Sequence, residues 1–175
     1  VDVISLPTSI HTHVATALPA LATTASVFLE KPLVGAIQDG IKIAQAEAKA
    51  RGKLFIGYQD GFQPAHWALK RFLLSRALGK LRKISVMSAW PRYENYYARN
   101  AWAGRLTIDG EYALDCPLNN ACAHHINMAL FWAGTAVGET ARPVKVTGEL
   151  YRVYPIESAD TTSVRVITDA GVEVV

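Results

Sequence analysis

The sequence predicts an α/β part followed by an α+β part. In the first third, short apolar runs alternate with helical patterns, of which the one over 37–51 is clearly amphipathic. This alternation is typical of parallel strands joined by right-handed crossovers. In the last third, long alternating runs follow each other with few helices between them, which favours an antiparallel sheet. Half of the 175 residues are apolar and 19% are charged, as expected of a chain with a folded core.

Each part is expected to contain a series of short elements. In the first part we predict a buried strand over 1–7, a helix that ends near Thr23, a strand over 27–29, a helix over 37–51 and a strand over 54–58. In the second part we predict a helix over 64–78, a strand over 84–90, a helix over 121–132 and strands over 144–150 and 163–168. The pattern changes between Tyr58 and Pro64, so we divide the chain into residues 1–60 and 61–175.

The composition excludes several classes of protein. The net charge is +3 and no basic run with interleaved aromatic residues occurs, so nucleic acid is not an expected partner. No apolar run reaches the length of a membrane span, and the first residues lack the pattern of a secretory signal. Cys116 and Cys122 are expected to be reduced thiols, with a disulfide between them as the alternative. These features together indicate a cytoplasmic protein.

The tripeptide Glu30-Lys31-Pro32 directly follows the apolar run of the second predicted strand. Ligands of open parallel α/β sheets bind beyond the carboxyl ends of the strands, so an acid and an ammonium stand here where a ligand is expected. The proline restricts the backbone that aims the lysine. Taken alone, the tripeptide is also consistent with a solvated Glu-Lys pair at the start of a loop.

A second polar group lies in the segment 119–127. If Asn119 or Asn120 caps the following helix, then Asn120, His124 and Asn127 fall at i, i+4 and i+7 on one helix face. Imidazole titrates near neutral pH, so a histidine in a cleft is a good general base. The alternative is that Asn120 is a plain N-cap and His124 is a hydrogen-bonded interface residue.

The segment 90–104 is rich in Trp, Tyr, Arg and Asn and poor in aliphatic residues. Aromatic rings stack on the C–H faces of sugars while their polar tips bind hydroxyl groups, so the segment suits a polyhydroxylated ligand. A protein–protein interface is enriched in the same residue types and is the alternative.

The run Ile10-His11-Thr12-His13 has the His-x-His spacing of some metal sites. It opens a helix, where residues i and i+2 diverge, and no cysteine or carboxylate cluster completes a ligand set, so we predict no metal site. We interpret His11 as a loop residue at the mouth of the sheet and His66 as a structural residue.

Several of these residues, taken in order, resemble the pattern of the Gfo/Idh/MocA family of nicotinamide-dependent sugar and polyol oxidoreductases. They are Pro7 and His11 after a strand, Glu30-Lys31-Pro32, Gly79 after a helix, and His124 in a polar helix start. The resemblance covers essentially the whole chain. It implies the latter half of a Rossmann-type sheet in residues 1–60, and a substrate-binding, open-sheet domain often used for homo-oligomerisation in residues 61–175. It also implies NAD or NADP as cofactor and a sugar or polyol as substrate.

The resemblance further implies roles for individual residues. Lys31 and His124 match the family's catalytic lysine and histidine, and His124 would take the hydroxyl proton. Pro32 would follow a cis peptide bond. The implied cofactor-binding residues are Pro7, His11, Glu30, Lys31 and Pro32. The implied substrate-binding residues are Arg92, Tyr97, Trp102, Asn120 and Asn127.

The sequence departs from the family pattern in two respects. Asn120 and Asn127 stand where the family commonly has aspartate, and asparagine cannot take up a proton; Asp115 is a substitute to which the sequence assigns no position. The glycine-rich turn that binds a pyrophosphate is absent, the chain starts without Met, and both ends fall in strand patterns. We therefore expect an internal segment of a longer enzyme, inactive by itself.

Two rival functions fit part of the pattern. A non-catalytic regulator would keep the fold and bind cofactor or sugar without turnover, which the two asparagines favour. A structural or interaction module is supported only by the aromatic segment, and it predicts assembly without cofactor binding.

Overall fold

The first part of the chain is a three-stranded parallel sheet with two crossover helices. The computed structural model describes residues 1–175. The elements are β1 (Val3–Leu6), α1 (His13–Leu21), β2 (Ser26–Leu29), α2 (Ile37–Glu47) and β3 (Leu54–Ile56). In the sheet, β2 lies between β1 and β3 and pairs with both in parallel. The predicted alternation of strands and helices is confirmed.

Both helices pack on one face of this sheet. Val27 and Leu29 of β2 are fully buried with Ile43 of α2, and the small side chains of Ala17 and Ala20 let α1 join the same cluster. Full burial of one Val, Leu or Ile side chain contributes about 1.5–3 kcal/mol, so this cluster holds the carboxyl end of β2 firmly in place. The segment that follows β2 is therefore carried on a rigid strand.

The second sheet lies in the rest of the chain and is mainly antiparallel, as predicted. Strands β7 (Pro143–Tyr151) and β8 (Thr161–Thr168) pair antiparallel, as do β8 and β9 (Glu173–Val174), and β4 (Lys83–Ile84) pairs parallel to β9. Helix α5 (Ala123–Ala133) covers one face through Ala129, which packs on Val166 and Val174. No helix is long and apolar enough to cross a membrane. The elements are α3 (Pro64–Leu74), β4 (Lys83–Ile84), α4 (Glu94–Tyr97), β5 (Thr107–Ile108), β6 (Glu111–Tyr112), α5 (Ala123–Ala133), β7 (Pro143–Tyr151), β8 (Thr161–Thr168) and β9 (Glu173–Val174).

Several predicted elements differ from the structure. Helix α2 ends at Glu47 and not at Arg51, and β3 ends at Ile56 and not at Tyr58. The opening strand was expected to be buried, but β1 alternates between exposed and half-buried residues because the helices cover only one face of the sheet. Helix α3 ends at Leu74 and not at Leu78, because the backbone turns into the left-handed region at Arg76, where φ is 56°. The predicted strand over 84–90 is reduced to Lys83–Ile84.

One hairpin was missed. Strands β5 and β6 are joined by Asp109 and Gly110, whose φ values are 50° and 84°. Positive φ at both central residues is the geometry of a type I′ turn, and Asp-Gly is a preferred sequence for it. The two-residue strands on either side are too short to give an alternating pattern, so the Asp-Gly sequence alone did not lead us to predict a hairpin.

Lys70 of α3 is a fully buried ammonium group without a carboxylate partner. Its Nζ donates hydrogen bonds to the carbonyl oxygens of Phe131 at 2.5 Å, Gly134 at 2.6 Å and Glu139 at 3.1 Å. The last carbonyls of a helix have no intrahelical donors, so two N–H groups of Lys70 satisfy the end of α5 at Phe131 and Gly134, and the third joins that end to the following loop at Glu139.

We predict that Lys70→Met destabilises the intact protein by about 2–4 kcal/mol, because three carbonyl groups, two of them buried, lose a charged donor. Chemical denaturation followed by circular dichroism measures the loss. Arg71→Met, at the neighbouring exposed position, is the matched control and should change the free energy of unfolding little. Equal stability of the two variants would contradict the role assigned to Lys70.

Candidate functional site

The carboxyl ends of β1, β2 and β3 bring three polar segments to one edge of the parallel sheet. Pro7, Thr8 and His11 follow β1, Glu30-Lys31-Pro32 follows β2, and Tyr58 follows β3. Thr8 Oγ1 and His11 Nδ1 are buried without hydrogen-bond partners. Buried polar atoms are nearly always hydrogen-bonded in native proteins, so two unpartnered atoms at this edge fit a polar ligand.

His13 ties two of these segments together. Its side chain is wholly buried, and its Nδ1 and Nε2 lie 3.1 Å from the carbonyl oxygen of Leu33 and 3.0 Å from that of Thr8. The loops after β1 and β2 are therefore held in one arrangement. The sequence offers a weak signal for this role, because His13 shares a helix face with the buried residues Ala17 and Ala20.

Lys31 extends from the parallel sheet to the second part of the chain. Its Nζ donates hydrogen bonds to the carbonyl oxygen of Asn120 at 3.1 Å and to Asn120 Oδ1 at 3.0 Å. The Lys31–Pro32 peptide bond is cis, as expected. An ammonium has three N–H groups, so two are used here and one is left for another acceptor.

Asn120 is held from its other end by a buried acid. Its Nδ2 donates to Asp115 Oδ1 at 2.7 Å and to the Tyr96 hydroxyl at 3.3 Å. Asp115 is 4% exposed, and its Oδ2 accepts a hydrogen bond from the Gly104 N–H at 2.8 Å. An ionised carboxylate is only an acceptor, so it fixes the amide with the NH₂ group towards Asp115 and the oxygen towards Lys31.

This arrangement corrects one expectation. Asn120 was considered as the N-cap of α5, but the N-cap is Cys122 and no side chain of the segment caps the helix. Asn120 therefore precedes the helix and does not stand in one helical stripe with His124 and Asn127. Asp115 and Tyr96 were not identified as partners, because their contacts with Asn120 depend on the fold of the loops and leave no periodic pattern.

His124 stands in the first turn of α5, beside the end of β3. Its ring lies 5.8 Å from that of Tyr58 at an interplanar angle of 85°, and its buried Nδ1 has no hydrogen-bond partner. Burial lowers the pKa of His124, Asp60 raises it, and the positive charge of Lys31 lowers it, with a net fall from the usual value of 6.5. The imidazole is thus neutral at neutral pH, the form that a general base requires.

The charge of Lys31 is set by opposing effects. Burial lowers the pKa of its ammonium, whereas the charges of Glu30 and then Asp115 raise it, and the net direction is down from 10.5. The two carboxylates therefore keep a half-buried ammonium from losing its proton as easily as burial alone would dictate.

A cavity of about 640 Å³ lies beside Asn120, between the aromatic segment, the loop before α5 and the second sheet. Of the predicted substrate-binding residues, Arg92, Tyr97 and Asn120 line it. Trp102 and Asn127 are not in its lining, and neither are Lys31 and His124. Asn120 thus both lines the cavity and accepts the hydrogen bonds of Lys31.

Parts of the sequence are similar to known oxidoreductases. No protein-family profile matches the chain. Over 123 residues, or 70% of the chain, it is 24% identical to YteT of Bacillus subtilis strain 168, which is named as an oxidoreductase. Over 81 residues, or 45% of the chain, it is 38% identical to inositol 2-dehydrogenase of Acidothermus cellulolyticus. The matched segments cover only 28% and 24% of these two relatives.

Solved structures show the same fold. The WlbA dehydrogenase of Bordetella pertussis, crystallised with NADH and UDP-GlcNAcA, superposes with a TM-score of 0.81 at 21% identity over 99% of this chain and 50% of its own. An oxidoreductase of Agrobacterium radiobacter, crystallised with NAD⁺, L-tartaric acid and magnesium, gives a TM-score of 0.73 at 20% identity and covers 99% of this chain and 46% of its own. The chain thus spans about half the length of these neighbours.

The motif residues, the two sheets and the sequence relatives are independent observations that point the same way. Glu30-Lys31-Pro32 ends the second strand of a parallel sheet, and His124 lies beside it in the first turn of α5. The named relatives are an oxidoreductase and a dehydrogenase. On these grounds, the chain resembles oxidoreductases of the Gfo/Idh/MocA type in part of its sequence and in its fold.

Proposed function

We propose that the intact protein oxidises a secondary hydroxyl group of a sugar or polyol with NAD or NADP, and catalyses the reverse reduction. The observation that carries the proposal is the Lys31 ammonium, held by Asn120 and adjacent to a neutral His124 at the carboxyl edge of a parallel sheet. The match to an inositol 2-dehydrogenase and the NADH and NAD⁺ in the two structural neighbours support it.

The residues at the sheet edge fit a nicotinamide cofactor. Thr8 Oγ1 and His11 Nδ1 offer unpartnered polar atoms, and Pro7, Glu30 and Pro32 stand on the same edge. A bound nicotinamide would supply the hydride chemistry at the substrate carbon. Residues 1–60 would hold the cofactor in this proposal, and residues 61–175 the substrate.

The chain's own residues supply the proton chemistry. Lys31 has one N–H left after its two bonds to Asn120, and that N–H donates to the substrate oxygen as negative charge develops on it. The neutral imidazole of His124 takes the hydroxyl proton during oxidation and returns it during reduction. Asn120 positions Lys31, and Asp115 positions Asn120.

We predict that Lys31→Met lowers kcat for hydroxyl oxidation by about 10²–10⁴-fold, the usual contribution of a positioned acid–base group. Nucleotide binding, followed by nicotinamide fluorescence, should persist because the sheet edge keeps its other residues. Lys80→Met, at an exposed loop position, is the matched control. Full turnover in Lys31→Met would remove the lysine from the mechanism.

The pH profile tests the histidine. In the folded protein the pKa of His124 is lowered from 6.5. The imidazole is therefore neutral at pH values above this lowered pKa and protonated at pH values below it. We expect kcat/KM for oxidation to be level through neutral pH and to fall as pH drops through that lowered pKa. In His124→Asn this acidic limb should disappear along with most of the activity, and an unchanged limb would assign it to another group.

Neutralising Glu30 or Asp115 should lower the pKa of Lys31, and the two substitutions should differ in how far they lower it. Glu30 raises the pKa of Lys31 more than Asp115 does, so Glu30→Gln should lower that pKa further than Asp115→Asn. The titration of the ¹³Cε resonance of Lys31 by NMR measures both shifts. The proposed electrostatics are wrong if neither substitution lowers the pKa.

A non-catalytic regulator is the second candidate, and the amide side chains of Asn120 and Asn127 favour it because neither can exchange a proton. It predicts nucleotide or sugar binding without any hydride transfer. A panel of sugars and polyols, followed by nicotinamide absorbance at 340 nm with the intact protein, separates the two candidates.

Homo-oligomer formation through the second sheet completes the proposal. All nine residues of β7 are exposed, among them Val144, Val146 and Leu150. An exposed apolar strand of this length is typical of an interface. Sedimentation of the intact protein measures its assembly state.

A further inference from the structure

We infer that the cavity beside Asn120 binds an anionic group, a carboxylate or a phosphate, carried by the sugar or polyol away from its reacting carbon. Arg92 is the residue that recognises it. The inference rests on the proposed function for the sugar class of the ligand. The anionic group itself is argued from the geometry and charge of the cavity wall.

The wall contains a stack in which aromatic rings and guanidinium groups alternate. The Arg92 guanidinium lies 4.9 Å from the Trp90 ring and 4.5 Å from the Tyr96 ring, and that of Arg99 lies 3.9 Å from the Tyr96 ring and 5.4 Å from the Trp102 ring. Trp90, Arg92 and Tyr96 line the cavity, whereas Arg99 and Trp102 are not part of its lining. Stacking occupies the faces of the guanidinium and leaves its N–H edge available.

The N–H edge of Arg92 is almost unused. Its one hydrogen bond is a long contact of 3.4 Å to the carbonyl oxygen of the adjacent Pro91, and no carboxylate pairs with it. Arg99 donates to the Tyr96 hydroxyl at 2.9 Å and also has no carboxylate partner. Arginine has five N–H donors, so Arg92 has enough free donors to hold an anion in a bidentate manner.

The acids of the cavity are not free to neutralise Arg92. Asp115 accepts hydrogen bonds from Gly104 N–H and from the Asn120 amide. Asp160 accepts from the N–H groups of Val153 at 2.7 Å and Tyr154 at 2.8 Å, and from the Thr161 hydroxyl at 3.0 Å. Both carboxylates are therefore satisfied by their own loops, and the positive charge of Arg92 is left for a ligand.

The size and position of the cavity fit a ligand whose reacting hydroxyl lies at Lys31 and whose anionic group lies at Arg92. A volume of about 640 Å³ exceeds what one sugar ring fills, and it lies within the usual range of small-molecule sites. Asn120 lines the cavity and accepts the hydrogen bonds of Lys31, so a ligand with its hydroxyl at Lys31 would have its remaining groups in the cavity. The rings of Trp90 and Tyr96 offer faces for its C–H groups.

Isothermal titration of the intact protein with matched ligands tests the inference. The probes are D-glucose, D-glucuronate, D-glucose 6-phosphate and inorganic phosphate. We expect one of the two anionic sugars to bind at least tenfold more tightly than glucose, and which one does so identifies the anion as a carboxylate or a phosphate. Equal affinities for glucose and both anionic sugars would overturn the inference, as would inorganic phosphate binding as tightly as the preferred sugar.

Substitutions locate the effect. Arg92→Gln should remove most of the tenfold preference for the anionic sugar over glucose, and Arg92→Lys should restore part of it, because the charge returns without the planar fork. Arg51→Gln, at an exposed position after α2, is the matched control and should keep the full preference. Thermal melts monitored by circular dichroism verify that each variant is folded. An intact preference in Arg92→Gln would overturn the inference.

Titration requires no turnover, so the two proposals fail separately. An anion preference that depends on Arg92, without hydride transfer to any ligand, would refute the proposed dehydrogenase activity alone. Turnover of neutral sugars without an anion preference would refute only the inference about the cavity.

Discussion

The site depends on holding an ammonium charge in a half-buried position between two sheets. Lys31 is carried by β2, whose carboxyl end is fixed by the buried cluster of Val27, Leu29 and Ile43. The acceptors of its Nζ come from Asn120, which lies 89 residues further along the chain. The hydrophobic core of the first sheet and the loop before α5 therefore together determine the position of Lys31 Nζ. A shift of either one would displace the ammonium group.

The buried Lys70 and the half-buried Lys31 show how the same group serves different purposes. Lys70 has three carbonyl acceptors and uses all of its N–H groups, which fixes the end of α5 and leaves no donor. Lys31 has two acceptors and keeps one N–H free. The difference is in the number of acceptors supplied, since burial lowers the pKa of both groups. An incomplete set of acceptors is what separates a chemically available lysine from a structural one.

The parts of the site that the sequence predicts are those encoded locally. Glu30-Lys31-Pro32 could be identified because the apolar run of β2 ends directly before it, and parallel strands bring such ends together. Asp115, Tyr96 and Lys70 could not be placed, because their partners come from distant loops and a helix end, where hydrogen bonding leaves no periodic trace. The Asn120 cap was mispredicted for a related reason: helix propensity does not show that its amide has stronger partners in Lys31 and Asp115.

The orientation of the Asn120 amide has a consequence for how protons travel. Asp115 and Lys31 are linked through its NH₂ group and its oxygen, so each charge stabilises the other across a neutral bridge. An amide neither gains nor loses a proton at physiological pH. The Asn120 side chain therefore cannot pass a proton between Asp115 and Lys31, although the two charges still interact electrostatically across it. The buried carboxylate therefore cannot take the proton of Lys31 through this bridge. In the proposed reaction, the proton of the reacting hydroxyl would leave towards His124.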